Sequence, residues 1–195
     1  MSSIILIGPP GAGKGTQREK IVTKYGFKEI IPGDIMREEV KNKTKDGLIL
    51  AEFINKGLLA PHELAMKVVK NKIVNYFNNG IKNIIFDGFP REVEQMNELS
   101  NILDEYKLYN IKKVIFFNLS DDIVKERIKL RGINSGRVDD ASSDITETRL
   151  NEYYNKTTKV IDSYDKQGLV DEIDASKTPE EVFSDVDSLI KNIFT

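Results

Sequence analysis

A glycine-rich loop that carries one lysine is the clearest chemical feature of this 195-residue sequence. The loop, residues 8–16, reads GPPGAGKGT and lies between an apolar run and a segment with helical character. Glycines let the backbone turn tightly and aim successive N–H groups at an anion, and the following helix adds the positive end of its dipole. Lys14 supplies a positive charge and Thr16 a hydroxyl group, so the loop predicts a phosphate-binding site. The generic pattern places the hydroxyl residue directly after the lysine, whereas here Gly15 intervenes.

Arginine is scarce in this chain. Of the 29 basic residues, 22 are lysine and seven are arginine. Because lysine supplies the general surface charge, each arginine is a candidate for a site that needs a planar, permanently charged group. Such a fork of donors suits phosphate oxygens. The seven are Arg18, Arg37, Arg91, Arg127, Arg131, Arg137 and Arg149.

The composition excludes several classes of function. A formal net charge of −2 argues against a general nucleic-acid binder or a polybasic membrane protein. A chain without cysteine has no disulfide, thiolate zinc site or cysteine nucleophile, and one histidine, His62, does not make a histidine-based triad. No apolar run approaches the roughly 20 residues of a spanning helix, and no signal-peptide pattern precedes the loop. We expect a soluble, cytoplasmic protein.

Strand and helix patterns alternate along the chain. Continuous apolar runs, which suit strands covered on both faces, occupy residues 3–7, 83–87 and 113–119, with weaker candidates at 27–31 and 169–173. Helical patterns occupy residues 61–78, 121–131, 144–167 and a last segment that Thr178 caps, with Pro179 at its first position. The alternation predicts an α/β protein with five strands in a mostly parallel sheet and helices on both faces.

Two segments interrupt this alternation. Residues 34–61 predict two short helices with breaks at Gly47 and Gly57, and residues 131–140 are polar and rich in turn residues. Both are candidate mobile flaps over a ligand crevice. The chain is then one domain, with a core of residues 1–32, 62–130 and 141–195, an acceptor flap of residues 33–61 and a short lid of residues 131–140.

The loop variant P-G-x-G-K-G-T-Q, carried by residues 10–17, resembles that of the nucleoside monophosphate kinases and most of all the adenylate kinases. The resemblance covers essentially the whole chain. It implies the P-loop NTPase fold and transfer of a phosphoryl group from ATP to AMP, giving two ADP. For the donor ATP it implies contacts from these residues: Gly11, Ala12, Gly13, Lys14, Gly15, Thr16, Arg127, Arg131 and Lys177.

The acceptor side rests on two further motifs. Residues 32–37, PGDIMR, resemble the family's T-G-D-x-x-R, with Pro32 where a threonine is usual. Residues 87–91, DGFPR, match the family's D-G-F-P-R. The resemblance implies that AMP is bound by Pro32, Gly33, Arg37, Leu59, Ala60, Gly88, Arg91, Gln95, Arg137 and Arg149.

The identity of the acceptor base stays open between two interpretations. Gln95, which we expect on the same helix face as Arg91 and one turn further on, resembles the glutamine with which adenylate kinases read adenine. Uridylate and cytidylate kinases are similar overall and tend to carry asparagine there, and Pro32 lacks the hydroxyl and backbone donor of the usual threonine. The alternatives to an adenylate kinase are a pyrimidine or broad-specificity nucleoside monophosphate kinase and a nucleotide-binding protein without catalysis.

The resemblance also implies how transfer is catalysed. It assigns the reaction to Lys14, Arg37, Arg91, Arg131, Arg137 and Arg149. Asp87 resembles the carboxylate that holds the water shell of Mg²⁺, and Thr16 offers it a hydroxyl. Asp139 and Asp140 are expected to orient arginines. Arg18 has no counterpart among the family's arginines. With so short a lid, we expect no structural zinc, and the family's usual form implies a monomer that binds neither nucleic acid nor membrane.

Overall fold

A computed structural model describes residues 2–105, 109–135 and 142–194. These ranges contain five strands and nine α-helices. The strands are β1 (Ser2–Ile7), β2 (Lys28–Ile30), β3 (Asn83–Asp87), β4 (Asn110–Asn118) and β5 (Val170–Asp174). The helices are α1 (Lys14–Tyr25), α2 (Pro32–Lys41), α3 (Lys45–Ile54), α4 (His62–Asn78), α5 (Val93–Glu105), α6 (Asp121–Ser135), α7 (Ser143–Glu152), α8 (Thr158–Asp165) and α9 (Pro179–Phe194).

All five strands are parallel, and their order in the sheet is β2-β3-β1-β4-β5. The prediction of an α/β fold with five parallel strands is therefore confirmed. Strand β1 is central, and the chain places β2 and β3 on one side of it and β4 and β5 on the other. In open parallel sheets, ligands bind beyond the carboxyl ends of the strands at the point where the order changes direction. Here that point is the end of β1.

Alternate residues of β1 enter two different core clusters. Ile4 and Leu6 belong to the cluster on one face of the sheet, and Ile5 and Ile7 to the cluster on the other, and all four are at most 1% exposed. Burying one such side chain contributes about 1.5–3 kcal/mol. Because both faces are covered, the strand reads in the sequence as a continuous apolar run.

The break expected at Gly47 is wrong. Gly47 lies in the first turn of α3, where its N–H donates to the side-chain oxygen of the capping residue Thr44. The two flap helices instead separate at residues 42–44, where Lys43 has a φ of 50°. Gly47 is required by packing, since a Cβ there would lie 2.0 Å from the carbonyl oxygen of Glu39 on α2. The second expected break, Gly57, does follow the end of α3 and has a φ of 75°.

The helix predicted over residues 144–167 is continuous but not uniformly α-helical. Between α7 and α8 lies one π-helical turn, Tyr153–Thr157. Such turns widen a helix locally and are frequent at functional sites. Two smaller differences concern the starts of helices. Pro61 caps α4 rather than lying inside it, and α5 begins at Val93, after Arg91, which we expected on the same helix as Gln95.

None of the described helices has the length and apolar character that crossing a membrane would require.

Candidate active site

A cleft of about 440 Å³ opens beyond the carboxyl end of β1. Its walls come from the loop after β1, the end of β3, the flap helices α2 and α3, and helices α6 and α7. Of the predicted site residues, the following line it: Gly11, Ala12, Gly13, Lys14, Gly15, Thr16, Pro32, Gly33, Arg37, Leu59, Ala60, Asp87, Gly88, Arg91, Gln95, Arg127, Arg131 and Arg149.

One predicted residue that the structure describes does not join this set. Lys177 does not line the cleft, and its ammonium group pairs with Asp185 of α9 at 2.8 Å. The side chain expected at ATP is therefore directed to the helix that follows its own loop. Arg137 lies outside the described residues, as do Asp139, Asp140 and the rest of 136–140, which is half of the predicted lid. The other half, residues 131–135, was expected to be rich in turns but continues helix α6.

The phosphate loop runs directly from β1 into α1. Gly8 has a φ of 151°, and a Cβ there would lie 2.5 Å from the carbonyl oxygen of Phe117, so only glycine lets the loop leave the sheet beside β4. Helix α1 has no side chain capping its start and no acidic residue in its first turn. Its first N–H groups and the positive end of its dipole are thus available to an anion.

Lys14, the first residue of α1, lies against the loop that precedes it. Its ammonium group donates to the carbonyl oxygens of Gly8 and Pro9, each at 2.8 Å. Burial lowers the pKa of Lys14 to about 7, because the charged form loses hydration. The carboxylate of Asp87 opposes this decrease, and the nearby arginines add to it. The site therefore concentrates positive charge around Lys14, and the carboxylate of Asp87 offsets only part of it.

The arginines of the cleft are half-buried, and the described contacts fix several of them. Arg91 donates from Nε to the carbonyl oxygen of Gly88 at 2.6 Å. Arg127 donates from Nη1 to the carbonyl oxygen of Ala175 at 3.0 Å. Arg37 forms an ion pair with Asp34 one turn earlier on α2. Held side chains lose less conformational freedom when they bind a ligand.

Gln95 does not share a helix face with Arg91, contrary to our expectation. Arg91 precedes α5, and the amide oxygen of Gln95 accepts a hydrogen bond from the backbone N–H of Arg91 at 2.9 Å. The amide nitrogen donates to Glu92 at 3.2 Å. Spacing by four residues suggested a helical turn, but α5 starts two residues later. Gln95 in this structure shapes the segment that carries Arg91.

Sequence reasoning missed three residues around the π-helical turn. Glu152 accepts a hydrogen bond from the backbone N–H of Leu59 at 3.4 Å and so joins the end of the flap to α7. Lys156 pairs with both Glu152 and Glu92, each at 3.0 Å. Thr157 donates to the carbonyl oxygen of Arg91 at 3.1 Å. Their position within two turns after Arg149 is the sequence signal that could have identified them.

Sequence reasoning also left Arg18 without a role, yet it lines the cleft and contacts Asp87. The distance from Nη1 to Oδ2 of Asp87 is 2.9 Å. Arg18 stands four residues after Lys14, and residues so spaced lie on the same face of a helix. That spacing within the first turns of α1 could have indicated its place.

The donor atoms present fit Mg²⁺ rather than a metal held by protein alone. Asp87 offers carboxylate oxygens and Thr16 an exposed hydroxyl, which are ligand types that Mg²⁺ prefers. Among the described residues, no group of three or more His, Cys, Asp or Glu side chains could hold a metal ion. Mg²⁺ in such sites keeps several waters and binds substrate phosphates, so two protein groups suffice.

Comparisons with known proteins agree with this geometry. A model of the adenylate kinase family matches residues 6–169. Human adenylate kinase isoenzyme 1 is 37% identical over 183 residues, which cover 94% of this chain and 91% of that protein. An adenylate kinase of Prochlorococcus marinus strain NATL2A is 38% identical over 181 residues, covering 93% and 94%. One of Methanosarcina barkeri is 36% identical over 214 residues, covering 97% and 98%.

Proposed function

The chain belongs to the adenylate kinase family, and on that premise we propose how its residues transfer the γ-phosphoryl group of ATP to AMP, giving two ADP. One observation carries the proposal, which is that six cationic side chains besides Arg18 line one cleft beyond the end of β1. They are Lys14, Arg37, Arg91, Arg127, Arg131 and Arg149. As a nucleoside monophosphate kinase, the enzyme catalyses the reaction in both directions.

Negative charge is the main obstacle to this reaction. ATP and AMP together bring roughly six negative charges to one place near neutral pH, because the second pKa of a phosphate is about 6. The attacking phosphate oxygen is for the same reason already largely ionised, so no general base is needed. His62, the one histidine, does not line the cleft. Catalysis is then positioning plus electrostatic stabilisation of an in-line transfer.

The cations divide between the two substrates. Arg37 and Arg91 bind the phosphate of AMP, with two forks of donors suited to a tetrahedral anion. Arg127 and Arg131, one turn apart on α6, bind ATP on the opposite side of the cleft. Lys14 and the N–H groups at the start of α1 hold the phosphates of ATP. Arg149 reaches the phosphates that pass between the two, and we assign Arg137 to the same task.

Other residues of the cleft hold the acceptor nucleoside. Pro32, Gly33, Leu59, Ala60 and Gly88 supply backbone and apolar surface. Gln95 is proposed to read adenine through its amide, which would require its contacts with Arg91 and Glu92 to rearrange. Pro32 is the departure from the family pattern that bears on base specificity.

Asp87, through water, and Thr16 would hold Mg²⁺. Held there, the metal would supply positive charge that offsets the charge developing on the phosphates during transfer. Asp87 follows directly from the buried part of β3, so the sheet fixes its backbone. We include no structural zinc in this proposal.

Water competes with AMP as the acceptor. We propose that the flap of residues 33–61 and the lid of residues 131–140 close over the core and exclude it. Lids of this kind act in this way, and adenylate kinases are an established example. We propose further that the enzyme is a cytoplasmic monomer that engages neither nucleic acid nor membrane, and sedimentation of the purified chain tests the oligomeric state.

One assay tests the proposed acceptor. The protein is incubated with Mg·ATP and, separately, AMP, CMP, UMP or GMP, and the diphosphate products are separated. We expect ADP from AMP to form fastest. A preference for CMP or UMP would instead identify a pyrimidine kinase and would give Pro32 the deciding role. A chain that binds ATP but forms no diphosphate would be a binding protein without catalysis, and activity undiminished in EDTA would contradict the role of Asp87.

A further inference from the structure

Arg18 is surrounded by three carboxylates at the edge of the active-site cleft. Its Nη1 lies 2.9 Å from Oδ2 of Asp87, its Nε lies 2.8 Å from Oε2 of Glu29, and its Nη2 lies 3.3 Å from Oε1 of Glu19. The side chains of Arg18 and Asp87 are only 12% and 11% exposed. Shielding from water makes this pair electrostatically stronger than an ordinary surface ion pair.

Three elements of the core hold the ion pair of Arg18 and Asp87 in place. Arg18 belongs to α1, Asp87 ends β3, and Glu29 lies on β2, the strand paired with β3. The backbone of Glu29 is itself held, because its carbonyl oxygen accepts a hydrogen bond from the hydroxyl of Tyr76 at 3.0 Å. A guanidinium group that spans two strands in this way keeps its charge beside Asp87 whether or not a nucleotide is present.

The negative charge of Asp87 opposes the binding of anions in this site. Its carboxylate and Lys14 interact electrostatically, so it lies within reach of the phosphates that Lys14 is proposed to bind. Mg·ATP brings a metal ion that compensates this negative charge, but a nucleotide without metal does not. Arg18 forms a direct ion pair with Asp87 and so offsets its charge at 2.9 Å.

We propose that Arg18 determines how strongly nucleotide binding depends on the metal. It neutralises Asp87 when no metal is present and so lets metal-free nucleotide bind beside that carboxylate. This inference rests on the proposed function, specifically on Asp87 as the residue that faces Mg²⁺. Without Arg18, the carboxylate would repel metal-free ATP more than Mg·ATP, because the free nucleotide carries about two more negative charges.

The test measures binding rather than turnover. The probe is an ATP analogue in which nitrogen replaces the oxygen between the β- and γ-phosphorus atoms, and calorimetry gives its Kd in EDTA and in excess Mg²⁺. For Arg18→Met we expect the Kd in EDTA to rise about tenfold and the Kd in Mg²⁺ to change less than about threefold. Arg18→Lys, which keeps the charge, should retain most of the wild-type ratio. Thermal unfolding confirms that each variant folds, and Arg18→Gln replaces Arg18→Met if the latter does not.

Lys20→Met is the matched control. It makes the same change of charge two residues further along α1, where Lys20 pairs with Glu180 at 3.1 Å on the surface. Neither Kd should change by more than about twofold, because Lys20 does not line the cleft and its ion pair with the exposed Glu180 is screened by salt. Equal changes of both Kd values in Arg18→Met, or no change in either, would overturn the inference.

Asp87→Asn separates this inference from the proposed function. It should tighten metal-free binding and reduce the advantage of Mg²⁺, and adding Arg18→Met to it should then raise the ratio of the two Kd values no further. If Asp87→Asn leaves the metal dependence of binding unchanged, the proposed metal role of Asp87 fails. If Asp87→Asn acts as expected but Arg18→Met does not, only the inference about Arg18 fails.

Discussion

The phosphate loop and the acceptor flap place cationic side chains in the same cleft, but different amounts of buried surface support them. The loop extends from β1, whose residues Ile4–Ile7 are divided between the two large core clusters. The flap packs against α4 in one small cluster, formed by Met36, Leu50 and Ala60 of the flap and Ala65 of α4. Its outer helix α3 leaves Leu48 61% and Ile49 44% exposed.

This difference indicates that the phosphate loop is part of the large core, whereas the acceptor flap is supported by a much smaller set of buried contacts. Segments with few buried apolar contacts open at a lower free energy than the global unfolding of the protein. The flap can therefore change position while the loop stays fixed, as a closing mechanism requires. Mutations should distinguish the two regions. Changes in the loop should lower the rate of the whole reaction, whereas changes in the flap should mainly weaken the binding of AMP.

The largest effect is expected in the loop. Lys14→Met should lower kcat/KM at least about a hundredfold, which corresponds to about 2.7 kcal/mol, because the charge between the phosphates is lost. The same substitution should raise the Tm of the free protein at pH 7, since a desolvated ammonium group is removed. A coupled kinetic assay and thermal unfolding measure the two quantities.

Lys20→Met is the control for this change as well, because it removes a lysine from α1 that pairs with Glu180 on the surface. Its kinetics should stay close to those of the wild type. A Lys14→Met enzyme within about tenfold of wild-type activity would refute the placement of the γ-phosphate at this loop.

An intermediate effect is expected in the flap. Gly47→Ala places a Cβ 2.0 Å from the carbonyl oxygen of Glu39, so α2 and α3 must move apart. Overpacking of this kind costs about 1–3 kcal/mol, and we expect the KM for AMP to rise about tenfold. The affinity for ATP should remain within about twofold of the wild type, since the distant loop is untouched. Steady-state kinetics with each substrate varied in turn measure both.

Glu52→Ala is a control on the same helix, because Glu52 is exposed. It should leave both substrates unaffected. If Gly47→Ala instead weakens the binding of ATP and AMP equally, the flap and the loop do not act separately and the comparison between them fails.

The smallest effect is a proton taken up when ATP binds. The pKa of Lys14 in the free protein is about 7, and the polyphosphate raises it, because a nearby anion favours the charged form. At pH 8 the wild type should take up a fraction of a proton that Lys14→Met does not, whereas at pH 6 the two should agree, because Lys14 is already protonated. Calorimetry in buffers of different ionisation enthalpy measures the difference. Equal uptake by both proteins at pH 8 would contradict the lowered pKa.

The lowered pKa of Lys14 also predicts how the free energy of unfolding changes with pH. Between about pH 7 and the ordinary lysine value of 10.5, the unfolded chain binds more protons at this position than the folded one. The contribution of Lys14 therefore destabilises the free protein below pH 7 and diminishes as the pH rises through this window.

Local patterns predicted much of the fold. The continuous apolar run of β1, the loop of residues 8–16 and the capped start of α9 at Thr178 all depend on neighbours in sequence, and the structure has each of them. Helix boundaries were predicted less accurately, as Gln95 illustrates, because a spacing of four residues also occurs where a helix has not yet begun.

The sequence by itself determined which groups are available: a glycine loop with Lys14, seven arginines among many lysines, and no cysteine. Only the tertiary structure determined which charged side chains form ion pairs with one another. It pairs Arg18 with Asp87 across 69 positions and Lys177 with Asp185 away from the cleft, and it requires glycine at position 47 because α2 passes so close. The physical reason is that periodicity reports which face of an element is buried, whereas ion pairs and close approaches depend on how elements distant in sequence pack together.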